Sequence, residues 1–263
     1  MGTETGTKSK TDRRFAWLFD RSLVTLVATS TVVVVVAGLA QVSFGSYSMT
    51  FFEAWRAVFD PEVILSRGAW EAFLLGGELP EMETRSLIVW NIRLPRVFVA
   101  VLVGANLAVS GAIFQAVTRN ELASPFILGV SSGAGLMILV TLVVLPTMTV
   151  AIPVVVGQLV VSTSNLLPLT ASLGGIAAFL VVYAIAWKGG TSPVRLVLAG
   201  VIVGTVFGSL QTALFFFADD IGIVQSAVAW TTGSLTGTDW EQVRMALPWT
   251  VVAVVLAVAG SRQ

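Results

Sequence analysis

The sequence predicts an all-α integral membrane protein, a polytopic bundle with six transmembrane helices. The chain has 263 residues, of which 56% are hydrophobic and only 11% are charged, whereas soluble domains carry about 25% charged residues. The apolar residues also gather in uncharged runs of the length that a helix needs to cross roughly 30 Å of hydrocarbon. The formal net charge is zero, so no basic surface for nucleic acid is expected.

The uncharged runs place the spans in order along the chain. Basic residues precede the first run, so the N-terminal tail, residues 1–21, is expected in the cytoplasm. The block 122–187 contains no charged residue and could hold two or three spans. Two are preferred, because they leave Lys188 and Arg195 on the cytoplasmic side, and residues 147–167 then form an apolar outer segment. The predicted spans are 22–42, 97–118, 126–146, 168–187, 195–217 and 245–261.

The long connection between the first two spans, residues 43–93, is expected on the outer side of the membrane. Its stretch FFEAWRAVFDP at 51–61 is amphipathic. This pattern predicts a short helix at the membrane interface, with Phe51, Phe52, Trp55 and Phe59 directed toward the membrane.

The composition excludes several classes of function. The chain has no cysteine and no histidine, so disulfides, thiol or imidazole catalysis and most transition-metal sites are not expected. The predicted spans contain no acidic residue or histidine of the kind on which ion-coupled carriers rely. No GxxxxGK[ST] motif occurs, so the chain is not expected to bind ATP through a P-loop. No cofactor or metal is expected on this chain. If ATP drives the protein, another subunit must hydrolyse it.

Small and polar residues follow helical spacing within the spans. Glycines recur in stripes, and the favoured interpretation is close helix packing, with helices that slide during transport as the alternative. The stripes comprise Gly200, Gly204 and Gly208 on the fifth span, Gly129 and Gly133 on the third, and Gly104 and Gly111 on the second. Asn106, Ser110 and Gln115 on the second span are interpreted as interhelical hydrogen-bonding groups, with lining of a translocation path as the alternative.

The run from Arg93 to Gly135, RLPRVFVAVLVGANLAVSGAIFQAVTRNELASPFILGVSSGAG, resembles the iron-siderophore, haem and cobalamin class of ABC importer permeases. Two further matches are TSPVRLVLAGVIVG at 191–204 and AWTTGSLTGTDW at 229–240. The motif positions singled out here are Pro95, Gly104, Gly111, Asn120, Leu122, Ala123, Pro125, Gly129 and Gly133.

The resemblance implies a transport subunit, not an enzyme, in the cell membrane with its N-terminus in the cytoplasm. Its expected partners are a second permease subunit in a homo- or heterodimer, a pair of cytoplasmic P-loop ATPases that hold ATP and magnesium, and an extracytoplasmic substrate-binding protein. Arg93 and Arg96 match rim arginines that pair with acidic residues of the binding protein, which implies a docking role; interfacial anchoring is the alternative. Thr191 and Ser192 match a turn that helps to close a cytoplasmic gate.

The chain departs from that family in its length. It ends soon after the sixth span, before the ATPase-contacting loop and four further spans, so the permease domain at 22–263 is expected to be incomplete. The favoured function is uptake of iron-siderophore, haem or cobalamin-type chelates. The alternatives are an ABC permease for free metal ions and a truncated membrane scaffold that does not transport.

Overall fold

The computed structural model describes residues 20–45, 47–144, 150–154, 157–161, 163–190, 192–217 and 221–260. The predicted cytoplasmic tail therefore lies almost entirely outside the described residues. The chain divides into two compact units. Unit 1 comprises residues 1–104 and 235–252, and unit 2 comprises residues 105–234 and 253–263.

Helices account for most of the described residues, and one antiparallel hairpin pairs Val150 with Val161 and Val154 with Gly157. The elements in chain order are α1 (Arg21–Ser43), α2 (Phe51–Val58), α3 (Pro61–Ile64), α4 (Arg67–Leu75), α5 (Thr84–Ile88), a π turn (Val89–Arg93), α6 (Leu94–Thr118), a 3-10 turn (Pro125–Leu128), α7 (Val130–Val144), β1 (Val150–Val154), β2 (Gly157–Val161), α8 (Thr163–Ala186), α9 (Pro193–Phe215), α10 (Ile221–Thr232) and α11 (Trp240–Gly260).

The prediction of a polytopic helical membrane protein is confirmed. Five helices of the described chain are long and apolar enough, by length and composition, to cross a membrane. They coincide with the first, second, fourth, fifth and sixth predicted spans. The helices are Arg21–Ser43, the continuous Thr84–Thr118, Leu166–Ala186, Pro193–Phe215 and Trp240–Gly260.

The third predicted span, 126–146, is shorter than expected. Pro125 starts a 3-10 turn, and Gly129 ends it in the left-handed conformation with φ of 69°. A helix cannot continue through that conformation, so α7 begins only at Val130 and has 15 residues. At 1.5 Å per residue its length is roughly 22 Å, below the thickness of the hydrocarbon core.

The connection between α1 and the π turn is more ordered than the sequence predicted. The expected amphipathic helix is present as α2, but α3, α4 and α5 follow it. Local caps explain these starts: Thr50 and Glu53 form a reciprocal capping box at α2, and the side chain of Ser66 accepts from the N–H of Ala69 at α4. We call residues 44–88 the inter-span segment.

The core of unit 1 is aromatic. Phe73 stacks between Trp90, at a centroid distance of 5.5 Å, and Trp240, at 4.9 Å. Trp70 meets Trp90 edge-on at 5.5 Å, and Phe98 packs on Trp240 at 5.4 Å. This cluster joins the inter-span segment to the beginnings of the second and sixth predicted spans.

Unit 2 is built on close helix packing. A Cβ added at Gly133 of α7 would lie 2.5 Å from Ala178 Cβ and from the Gly174 carbonyl oxygen of α8, so only glycine permits this approach. Two elements were not predicted. The apolar segment 147–167 contains the β1–β2 hairpin, and α10 lies between the fifth and sixth spans.

Candidate functional site

Arg93, predicted at a docking rim, is buried in unit 1. Its side chain is 3% exposed. Nη1 donates to the carbonyl of Val42 at 2.7 Å, and Nη2 donates to the carbonyl of Tyr47 at 2.6 Å. Val42 lies in the last turn of α1, where carbonyl groups lack helical partners and a cation is favoured. Arg93 therefore caps the end of the first span.

Gly45 completes this arrangement. A Cβ at Gly45 would lie 2.9 Å from Arg93 Nη2 and 3.0 Å from its Cζ. A side chain at this position would therefore force the guanidinium to shift from its place beside Gly45. A docking carboxylate could reach the Arg93 guanidinium only after its two bonds to carbonyls break. The docking role of Arg93 stays a prediction.

Arg96 lies one helical turn further along and differs from Arg93. It is half-buried, and its Nε is enclosed without a hydrogen-bond partner among the described residues. The two ion pairs of the described chain, Arg67–Glu71 and Arg85–Glu53, do not include it. Neither arginine of the RLPR motif pairs with a carboxylate in the part of the chain that the structure describes, but the guanidinium of Arg93 is bonded to two carbonyls, whereas Arg96 Nε has no partner there.

The RLPR motif begins at a π turn. The N–H of Leu94 donates to the carbonyl of Val89, five residues earlier, instead of to that of Trp90. Pro95 has no N–H to continue the ladder. The carbonyl of Trp90 accepts instead from Nε1 of Trp240 at 2.7 Å, with both residues buried. Trp90 Nε1 in turn donates to the carbonyl of Ala57 at 2.9 Å.

The uncharged polar residues of the second span make local contacts. Ser110 donates to the carbonyl of Leu107 at 3.0 Å in its own helix. Gln115 donates to the carbonyl of Glu121 at 2.9 Å, just beyond the helix end. Asn106 is half-buried. Ser110 also lines an apolar cavity of about 540 Å³ in unit 2, together with Phe114, Phe126, Phe179 and Tyr183 among others.

The predicted glycine stripes separate into two groups. Gly200 lies against the Ile127 carbonyl, and a Cβ there would be 3.0 Å from Leu128 Cα. A Cβ at Gly204 would lie 3.4 Å from Gly129 Cα. Close packing therefore holds for these positions, as it does for Gly133. A Cβ added at Gly104, Gly111 or Gly208 would have no atom of another described element within 4 Å.

The RNELASP motif forms a tight connection between α6 and the 3-10 turn. The Asn120 side chain accepts from the N–H of Leu122 at 3.0 Å, and the Asn120 carbonyl accepts from the N–H of Ala123 at 3.1 Å. This is the side-chain turn that asparagine favours. Ala123 is buried, Leu122 is 92% exposed, and Pro125 starts the next turn. The motif shapes the backbone, and it leaves an apolar side chain, Leu122, exposed.

The predicted gate turn is only partly described. Thr191 lies outside the described residues. Ser192 precedes α9 at its N-cap, but its side chain makes no capping hydrogen bond. The nearby Arg195 was not predicted as a site residue, yet its guanidinium donates to the carbonyls of Gly190 at 2.9 Å and Lys188 at 3.3 Å. Arg195 therefore closes this turn onto its own helix.

Two further polar side chains donate to backbone carbonyls of other helices. Gln211 is buried, and its Nε2 donates to the carbonyl of Ser132 at 2.6 Å. Arg244 donates to the carbonyl of Phe73 at 2.8 Å. An amide in an apolar span needs a partner, and Gln211 has one in the Ser132 carbonyl. Across the described ranges, no group of three or more acidic residues could hold a metal ion.

Comparison with known proteins places these motifs in a family. The model of the FecCD transport family matches residues 32–263. The iron(3+)-hydroxamate import system permease protein FhuG of Bacillus subtilis is 34% identical over 176 residues, which cover 67% of this chain and 50% of FhuG. The achromobactin transport system permease protein CbrC of Dickeya dadantii is 39% identical over 183 residues, covering 69% of this chain and 48% of CbrC.

A third relative, the cobalamin import system permease protein BtuC of Halobacterium salinarum, is 37% identical over 182 residues, covering 69% of this chain and 45% of BtuC. The chain thus spans about half the length of the curated relatives that it matches. A solved metal-chelate type ABC transporter in an inward-facing conformation shares the fold, with a TM-score of 0.58 and 22% identity over 83% of this chain and 56% of that one. Because the family model covers nearly the whole sequence, the chain belongs to the FecCD transport family.

Proposed function

We propose that the chain forms part of the permease of an ATP-driven importer for iron chelates or cobalamin-type compounds. The observation that carries this proposal is the family match over residues 32–263. The relatives with iron-hydroxamate, achromobactin and cobalamin in their names support the substrate class. In this role the chain is a transport subunit, and ATP with magnesium is held by a separate pair of P-loop ATPases.

The proposed assembly contains a second permease subunit and an extracytoplasmic binding protein, in the cell membrane and with the N-terminus in the cytoplasm. The basic residues before α1 support this orientation. In it, the inter-span segment and the RLPR motif face outward, toward the binding protein. Thr191 and Ser192 then belong to the cytoplasmic side, where we propose that their turn contributes to the inner gate.

Within this assembly, Arg96 is the proposed contact for the binding protein, and Arg93 supports it from inside. A guanidinium without an internal carboxylate can present paired N–H donors to a carboxylate of the partner. Such a rim charge accelerates association and sets the docking register. Arg93 has both terminal nitrogens bonded to carbonyls, so it stabilises the surface without forming the contact.

Transport is tested with the complex isolated from native membranes and reconstituted into liposomes. Uptake of radiolabelled ferric hydroxamate, ferric citrate and cobalamin is measured with ATP and with a non-hydrolysable ATP analogue. ATP-dependent uptake of one of the three is expected. Uptake of none, or a complex without any ATPase, would contradict the importer.

Docking is tested separately by charge reversal. Arg96→Glu is expected to weaken binding of the co-isolated binding protein and to flatten the dependence of its affinity on salt. Arg67→Glu is the matched control: Arg67 is exposed and belongs to the inter-span segment, and its exposed ion pair with Glu71 contributes little. Equal affinities of the two variants at low salt would reject a docking role for Arg96.

A further inference from the structure

The π turn at Val89–Arg93, together with the proline after it, leaves the Trp90 carbonyl without a helical donor. A π ladder joins each carbonyl to the N–H five residues later, and Val89 is joined in this way to Leu94. The next rung would join the Trp90 carbonyl to the N–H of residue 95, but residue 95 is proline and has no N–H. In an ordinary α-helix the N–H of Leu94 would donate to the Trp90 carbonyl, but here it is already bonded to the carbonyl of Val89.

Trp240, on another helix, supplies the missing hydrogen-bond donor. Its Nε1–H donates to the Trp90 carbonyl at 2.7 Å, and both residues are 5% exposed. Water cannot replace the bond at such a site, and an unpaired buried carbonyl is strongly unfavourable. Phe73 and Phe98 pack against the Trp240 ring, which fixes its orientation. The indole therefore supplies the rung that Pro95 cannot.

The π turn also determines where the residues after it point. A single π turn adds about one residue to the helix and rotates everything that follows by about 100° relative to an uninterrupted α-helix. Arg96 lies directly after the turn. Loss of the turn would therefore redirect the Arg96 side chain around the helix axis.

We propose that Trp240 is a positioning residue for Arg96: its indole N–H replaces the donor missing at Pro95 and thereby holds the π turn that directs the Arg96 guanidinium. The positioning role rests on the proposed docking function of Arg96. The pairing of Trp240 with Pro95 does not depend on that function, so the two parts are measured separately.

The pairing is tested by hydrogen–deuterium exchange of the peptide that contains Leu94, in the intact complex. Trp240→Phe keeps the ring and removes the donor, so faster exchange is expected at 89–94. Trp70→Phe is the matched control, because Trp70 belongs to the same aromatic cluster and its Nε1 also donates to a carbonyl, that of Ile64 at 2.9 Å. It should leave the exchange at 89–94 unchanged.

Rescue sharpens this test. Pro95→Ala restores a backbone N–H that can reach the Trp90 carbonyl, so the double variant Trp240→Phe with Pro95→Ala should recover slow exchange. Unchanged exchange in Trp240→Phe, the same acceleration in Trp70→Phe, or no recovery in the double variant would each overturn the pairing.

The positioning role is tested by docking affinity, with the binding protein isolated from the same complex as the probe. Trp240→Phe is expected to weaken docking by roughly three- to tenfold, and Trp70→Phe to leave it unchanged. Adding Trp240→Phe to Arg96→Ala should produce no further loss, since there is then no guanidinium to direct. A further loss, or docking unaffected by Trp240→Phe, would overturn the positioning role. If Arg96→Ala alone has no effect, the docking function itself is rejected, while the exchange data still decide the pairing.

Discussion

Arg93 and Val42, 51 positions apart in sequence, are joined by a hydrogen bond of 2.7 Å from a guanidinium nitrogen to a backbone carbonyl. The bond links the end of the first predicted span to the start of the second. Because the acceptor lies in the last turn of a helix, the positive charge also interacts favourably with the helix dipole. An arginine expected at a binding surface is therefore part of the packing of unit 1.

Removal of Arg93 should destabilise the protein. Arg93→Ala leaves the buried carbonyl of Val42 and the partly buried carbonyl of Tyr47 without this donor, and we expect a loss of about 3 kcal/mol of stability. Arg93→Lys should be intermediate, because an ammonium cannot present the planar paired donors. The measurement is the melting temperature in detergent. Arg96→Ala is the matched control, and an equal decrease in that variant would contradict the buried role of Arg93.

Gly204 and Gly208 provide a matched pair on one helix. Gly204→Leu should disrupt unit 2, since its side chain would enter the contact with Gly129, whereas the space around Gly208 is open. Overpacking typically costs about 1–3 kcal/mol. Gly208→Leu is expected to change the melting temperature little. The melting temperatures of the two variants are compared. Similar values would show that α9 does not need its close contact with Gly129.

Gln211 should contribute to the stability of unit 2 through Ser132. Gln211→Leu removes the 2.6 Å bond to the Ser132 carbonyl, and interhelical bonds of this kind average about 0.6 kcal/mol, reaching about 1.7. A small decrease in melting temperature is therefore expected. Gln115→Leu, which removes an exposed local bond, should have a smaller effect. A larger decrease for Gln115→Leu would contradict the assignment.

The α2 capping box should weaken in acid. Hydrogen bonds from the backbone and hydroxyl of Thr50, and then the charge of Arg85, lower the pKa of Glu53 below its ordinary value of 4.5, although burial opposes the shift. A lowered pKa in the folded state means that the stabilisation is complete above pH 4.5 and disappears as the pH falls through the folded-state value.

Limited proteolysis of the inter-span segment between pH 6 and pH 3, with an acid-stable protease, measures this change. Cleavage near α2 should increase with acidity in the native protein, and Glu53→Gln should reduce the pH dependence. Glu71→Gln, which alters the exposed pair with Arg67, serves as the control. The same flattening in both variants would contradict a specific role for the capping box.

The positions of the spans could be predicted from sequence because membrane insertion depends on local hydrophobicity. Uncharged runs predicted five helices: the ends of α1 lie within one residue of the prediction and those of α9 within two, whereas α11 begins five residues earlier than predicted. The shortened third span could not be placed, because it depends on the left-handed backbone at Gly129. The contacts of Arg93 could not be predicted either. The sequence around an arginine does not reveal whether its guanidinium is buried or exposed. Here it is buried because the carbonyls of Val42 and Tyr47 lie next to it.

Motifs predicted the family more accurately than they predicted what each residue does. Pro95 was recognised as a motif residue at a helix start, but the consequence of its missing N–H depends on Trp240, a residue of a distant helix. Gly200 and Gly204 lie close to the backbone of a neighbouring element, whereas Gly104, Gly111 and Gly208, also assigned to glycine stripes, have open surroundings. Helical spacing places residues on one face of a helix and does not identify what lies opposite.

The bonds from Trp240 to Trp90 and from Arg244 to Phe73 span 150 and 171 positions of sequence, and this separation affects the order of biosynthesis. The first 104 residues leave the ribosome well before their partners in α11 are made. At synthesis rates of 5–20 residues per second, the interval is roughly ten to thirty seconds. During that time the aromatic side chains of the nascent chain lack the ring that completes their stack. The aromatic core of unit 1 can therefore be completed only after α11 has been synthesised.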